Sequence, residues 1–195
     1  MLPVLLKACE LLKKLFTQVQ FLIAQAPSVT IESEVTPPLA RSARGARRAS
    51  LAFGGEPRIL PPGNNHKLLC ASDILWLTSG TVTLEAALYE TPMILGYRGN
   101  MINYFLYLLL KRIDMAGLPN IIYGVKIVPE LLQNQATPEN YYEITKNWLE
   151  KPEELSKIKN LLKTVKEKIT DKNASKEAAL KIRGFIPQYK VLVLK

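Results

Sequence analysis

The stretch Asp73–Tyr97, reading DILWLTSGTVTLEAALYETPMILGY, leaves few ways to fold. Asp73–Leu77 is an apolar run of strand character, and Thr78, Ser79, Gly80 and Thr81 are small polar residues. Val82–Leu88 is a helix-forming segment, and Pro92–Leu95 is apolar again. Strand, tight turn, helix and strand make the unit from which parallel α/β sheets are wound. In that unit the turn falls at the carboxyl end of a strand. Backbone amides at the helix start, together with the helix dipole, then favour an anion such as a diphosphate. Glu85 stands just over one helical turn further on, where a carboxylate accepts hydrogen bonds from ribose hydroxyls. The same pattern also describes an ordinary βαβ unit in which Ser79 and Thr81 only cap the helix.

Composition sets bounds around this unit. With 195 residues, 48% of them hydrophobic, the chain can bury a core and reads as one domain. Lys and Arg number 26 against 17 acidic residues, a net charge of +9. That balance suits an anionic partner, whether nucleotide sugar, acidic lipid surface or nucleic acid, and equally a solvated basic surface. Cys9 falls in a helical pattern and Cys70 beside an apolar strand, without CxxC spacing. Neither a disulfide nor a metal site is expected, and both read as core thiols in a reducing compartment. His66, the single histidine, reads as a loop or surface residue rather than a catalytic base.

The chain opens with Leu5, Leu6, Cys9, Leu12 and Phe16 at near-helical spacing and Lys7, Lys13 and Lys14 opposite, followed by a strand at Val19–Ala24. Glu10 and the lysines interrupt the apolar run, so it is an amphipathic domain helix rather than a signal peptide. From Pro37 to Gly63 the periodicity fails in a segment rich in Arg, Ala, Gly and Pro, which predicts a loop or disordered excursion. The pattern resumes within it at Arg58–Leu60. Arg41, Arg44, Arg47 and Arg48 lie in this excursion, but no aromatic residue is interleaved with them to stack bases. No nucleic-acid partner is expected. Met101–Leu110, reading MINYFLYLLL, is apolar and aromatic and is followed by Lys111 and Arg112. Ten helical residues reach about 15 Å, half a bilayer core, so this run does not span a membrane. Tyr104, Phe105, Tyr107, Lys111 and Arg112 suit an interfacial helix touching acyl chains and anionic head groups; a buried α/β core helix fits as well. Helices are predicted from Pro138 onward, including Glu153–Ile169 and Ala174–Ile182, and the apolar Phe185–Leu194 is either an edge strand or a tail.

Several segments in one register carry a family resemblance. LTSGTVTLEAALYETPMILGYR, GLPNIIYG and VPELLQNQATPENY resemble, in order, the SGT-x-TLE-A and GYR segment, the SLPN segment and the ELLQ segment of lipid-A-disaccharide synthases, which are glycosyltransferases of GT-B fold. The likeness is dense over about residues 71–142 and looser to about Ile182, and Met1–Val29 is similar to a helix and strand of the same family's second domain. The resemblance implies a Rossmann-like, three-layer α/β sandwich with a mostly parallel sheet over residues 1–182, the C-terminal domain of a GT-B enzyme, with 183–195 as a tail.

It also implies a reaction. A diacylglucosaminyl group passes from UDP-2,3-diacylglucosamine to 2,3-diacylglucosamine 1-phosphate, a lipid X-type acceptor, without cofactor or metal. On this chain Ser79, Gly80 and Thr81 would hold the diphosphate and Glu85 the ribose. Arg98 would meet a phosphate or lipid head group, and Asn120 and Gln133 would hydrogen-bond the donor. Asn120 could instead cap a turn, and Gln133 could be a surface residue. The family's N-terminal domain, which supplies the general base and much of the acceptor site, has no counterpart here. The chain is thus expected to be a donor-binding half, completed by a separate chain or a homodimer and peripheral on the cytoplasmic face of the inner membrane. Another UDP-sugar GT-B domain and a basic membrane-surface module are the alternatives.

Overall fold

The structure, a computed structural model, describes residues 1–24, 57–78, 80–99, 115–170 and 174–185. In chain order its elements are α1 (Leu2–Leu15), β1 (Leu22–Ala24), β2 (Arg58–Leu60), α2 (Asn65–Ala71), β3 (Leu75–Thr78), α3 (Val82–Leu88) and β4 (Met93–Tyr97). These are followed by α4 (Leu118–Tyr123), β5 (Glu130–Leu132), a 3-10 turn (Gln133–Gln135), α5 (Pro138–Glu150), α6 (Pro152–Thr170) and α7 (Ala174–Phe185).

Among the described residues all strand pairings are parallel. β3, β4 and β5 form one sheet in that order, and β1 pairs with β2 in a second. A parallel sheet has helices on both faces, so its strands read as continuous apolar runs rather than alternating ones. β4 fits: Met93, Ile94, Leu95 and Gly96 are all buried. Gly96 faces Tyr141 of α5, whereas Leu95 on the opposite face lies against Gly117 at the entrance to α4. α1 packs on α5 over the first face, and α3, α4 and α6 pack on one another over the second. The result is the Rossmann-like α/β layering expected from sequence.

Apolar spacing explains which helix faces turn inward. α1 buries Ala8, Cys9 and Leu12, α5 buries Tyr141, Thr145 and Trp148, and α6 buries Ile158, Leu162 and Val165. Each set follows the three- and four-residue steps of one helical stripe. Burying a side chain such as Leu162 stabilises the fold by about 1.5–3 kcal/mol. The ends are set locally. The Thr137 hydroxyl accepts the Asn140 N–H at 3.2 Å ahead of Pro138, and Gly124 closes α4 with φ 104°, a conformation open to glycine. Trp76 of β3 joins the layers: its Nε1 donates to Thr145 Oγ1 at 3.0 Å, and its ring lies 5.2 Å from that of Tyr141 and 6.1 Å from that of Phe21.

Three expectations need adjustment. Cys70 is exposed, not a core thiol, because α2 turns Leu68 and Leu69 inward and leaves Cys70 on its outer side; Cys9 is buried. Arg58–Leu60, inside the predicted excursion 37–63, is strand β2, and residues 25–56 lie outside the described residues. The last helix runs to Phe185, beyond the predicted Ile182, and 186–195 lie outside the described residues. Among the described residues no helix is long and apolar enough to cross a membrane.

Two consequences follow from this packing. A Cβ at Gly96 would run into the Tyr141 hydroxyl and come within 2.9 Å of Met1 Cε. Gly96→Ala therefore costs about 1–3 kcal/mol by overpacking, read as a lowered urea midpoint; an unchanged midpoint contradicts the described contact. Burial also pushes the Cys9 thiol and the Tyr141 phenol each up to about 12. The unfolded chain releases these protons nearer their ordinary values of 9.0 and 10.0, so above about pH 9 the native state holds more protons than the unfolded state. Stability is full below that pH and declines toward about pH 12. Urea melts at rising pH should show a falling midpoint, with a shallower fall in Cys9→Ala.

Candidate functional site

Register brings three strand ends together. Thr78 pairs with Gly96 and Tyr97 with Leu132, so β3, β4 and β5 finish at nearly the same level. At about 4.8 Å between neighbouring strands, the three ends lie within about 10 Å of one another. In open parallel sheets this carboxyl edge is where ligands bind. Here it carries Thr78, Gly80 and Thr81 after β3, Tyr97, Arg98 and Gly99 at the end of β4, and Gln133 after β5.

The turn after β3 is open. Gly80 has φ 153°, and a Cβ built on it would meet nothing within 4 Å. Thr81 stands at the N-cap of α3 and, among the described residues, makes no side-chain cap bond. Thr83 closes the turn instead, its Oγ1 donating to the Gly80 carbonyl at 2.7 Å. Thr83, Ala86 and Ala87 face the core, while Thr81 and Glu85, four residues apart and thus on one side of the helix, are exposed. Ser79 lies outside the described residues.

After β4, Tyr97 and Arg98 are exposed, and the Tyr97 ring lies beside Gly99. Arg98 directly follows β4 at the open edge of the sheet. Met101–Arg112, with Tyr104, Phe105, Tyr107, Lys111 and Arg112, lies outside the described residues.

Asn120 and Gln133 are placed differently from a pair of open donor contacts. Asn120 is fully buried. Its Oδ1 accepts the N–H groups of Ile127 at 2.8 Å and Val128 at 2.9 Å. Its Nδ2 donates to the Val128 carbonyl at 2.9 Å and to Glu130 Oε1 at 2.8 Å. Those four bonds occupy the amide, so Asn120 clasps the turn leading into β5. Gln133 is also buried, not a surface residue. Its Oε1 accepts the Gly99 N–H at 3.2 Å, its φ is 51°, and its Nε2 has no hydrogen-bond partner among the described residues. A buried donor without a partner costs about 1–3 kcal/mol.

Sequence reasoning passed over two residues. Glu130 accepts from the Gly117 N–H at 2.7 Å and the Ala116 N–H at 3.0 Å, placing a carboxylate against the entrance of α4. Its signal was a lone acid opening an otherwise apolar strand. Tyr97 is an exposed aromatic ending a buried strand, and β4 reads as one continuous apolar run in which nothing marks its last residue as outward-facing.

The sequence profile of the lipid-A-disaccharide synthetase family matches residues 1–182. The chain belongs to that family. It is 31% identical to a lipid-A-disaccharide synthase of Persephonella marina over 92% of its own length and 45% of that protein. With the synthase of Verminephrobacter eiseniae it is 36% identical over 72% of this chain and 36% of the relative. With that of Geobacter metallireducens the figure is 30%, over 91% and 43% respectively. The chain thus spans under half the length of these family members.

The Asn120 clasp makes a direct prediction. Asn120→Ala strands the Ile127 and Val128 amides in the interior and lowers stability by about 1–3 kcal/mol for each group left unpaired. Denaturant melts measure this, and a loss below about 0.5 kcal/mol contradicts the described bonding.

Proposed function

We propose that this chain is the donor-binding part of a lipid-A-disaccharide synthase and holds UDP-2,3-diacylglucosamine at the carboxyl edge of β3, β4 and β5. The supporting observation is that the family's SGT, TLE and GYR segments put exposed Gly80, Thr81, Glu85 and Arg98 beside strand ends that finish level. Ser79, Gly80 and Thr81 take the diphosphate, Glu85 takes the ribose hydroxyls and Arg98 a phosphate. Asn120 serves this site by shaping the approach to β5, and Gln133 through Gly99.

The reaction breaks the bond between the anomeric carbon of the diacylglucosaminyl group and the β-phosphate oxygen, and forms one to the 6-hydroxyl of 2,3-diacylglucosamine 1-phosphate. Negative charge gathers on the departing UDP. Fixed amides and a guanidinium already aimed at that charge lower the barrier, because they need little reorganisation as it develops. The general base that removes the hydroxyl proton, and most of the acceptor site, come in this reading from chain beyond these 195 residues, in the same polypeptide or in a second one. Tyr104, Phe105, Tyr107, Lys111 and Arg112, with the net charge of +9, fit contact with acyl chains and an anionic membrane surface on the cytoplasmic side.

Titration calorimetry of the full chain with UDP tests the donor reading. Binding is expected, and Glu85→Ala should weaken it by about tenfold with the melting temperature unchanged, as an exposed carboxylate lost from a charge-assisted hydrogen bond implies. Equal affinity in Glu85→Ala removes Glu85 from the site.

A further inference from the structure

Glu130 and Gln133 stand at the two ends of the ELLQ segment, yet they reach amides far apart in sequence. Gln133 Oε1 accepts from Gly99, just after β4, at 3.2 Å. Glu130 accepts from Ala116 at 3.0 Å and Gly117 at 2.7 Å, at the entrance to α4, and from Asn120 Nδ2 at 2.8 Å. These amides bracket the connection between β4 and α4. One strand and its following turn therefore peg that connection at both ends.

The Gly99 end bears on the site. The Gly99 N–H and the Arg98 carbonyl belong to one planar peptide unit, so a bond that fixes the amide fixes the backbone from which the Arg98 side chain springs. At Gln133 this arrangement coincides with a left-handed φ of 51° and a buried Nε2 without a partner among the described residues. Strain of this kind persists where surrounding structure over-determines a residue, and it gathers at functional sites.

We propose that Gln133 is a positioning residue through which the turn after β5 sets where Arg98 presents its guanidinium to the donor diphosphate. The proposal rests on the donor reading above. A cation held in place binds an anion more tightly than one that must first be ordered, so loss of the Gly99 peg lowers donor affinity through Arg98. Glu130 holds the far end, and its removal loosens Ala116 and Gly117 rather than Gly99.

The test uses the full chain carrying Gln133→Met, Arg98→Ala or both, titrated with UDP, together with amide hydrogen exchange at Gly99, Ala116 and Gly117. Each single change is expected to weaken UDP by about tenfold, and the double variant no further than Arg98→Ala alone, because the two act as a unit. Independent losses that multiply to about a hundredfold overturn the coupling. Exchange at Gly99 should speed up in Gln133→Met and stay slow in Gln133→Glu, which keeps an acceptor oxygen; Glu130→Met, which removes the acceptor at the far end, should speed Ala116 and Gly117 only. Unchanged Gly99 exchange in Gln133→Met overturns the peg whatever UDP does. If the unaltered chain does not bind UDP while Gly99 exchange responds as expected, the donor reading falls and the peg stands.

Discussion

Burial of β4 on both faces is the constraint from which the rest of this structure follows. From Thr91 to Gly96 no residue of the segment is open to water, which requires a layer of helices above and another below. Gly96 is the place where the demand is tightest, since the Tyr141 ring of α5 occupies the space a side chain would need. At the entry to the strand, the Thr91 hydroxyl donates to the Leu69 carbonyl at 2.6 Å and ties α2 to the sheet. With β4 fixed, its parallel neighbours take their register from it. The level finish of the three strands is a consequence of that register.

Polar side chains do the finer work, and most of it lies on the second face. Glu130 meets the α4 entrance, Asn120 clasps the turn before β5, and Lys168 of α6 covers the far end of α4, donating to the Tyr123 carbonyl at 3.2 Å. α4 has six residues, too few to be stable alone, so these contacts at both ends hold it. The ion pair between Lys166 and Glu90, at 2.6 Å but partly exposed, adds under about 1 kcal/mol.

Much of the fold was legible before any coordinates. Strand, turn, helix and strand across Asp73–Tyr97 could be read from hydrophobic periodicity, and the long helices α5 and α6 from their apolar stripes, because both signals are local. What stayed hidden depended on neighbours distant in sequence. The direction in which Cys70 points was invisible because a seven-residue helix gives too little periodicity to orient. The internal bonds of Asn120 and Gln133 were hidden for a related reason: an amide in a motif looks the same whether it meets a ligand or its own backbone. Only the bonds to Ile127, Val128 and Gly99 separate these cases. At the candidate site, Thr81, Glu85 and Arg98 were found in the sequence and are exposed, whereas Glu130 and Tyr97 became visible only with the sheet assembled.

The central claim is that a nucleotide diphosphate sits where β3, β4 and β5 end. Amide chemical-shift mapping of the full chain by NMR on addition of UDP tests it most directly. The account predicts that the largest shifts gather at Gly80, Thr81, Val82, Arg98 and Gly99, with little change at Asp73 or Thr91 at the opposite, entering ends of β3 and β4. Shifts concentrated at those entering ends, or none at saturating UDP, would contradict it.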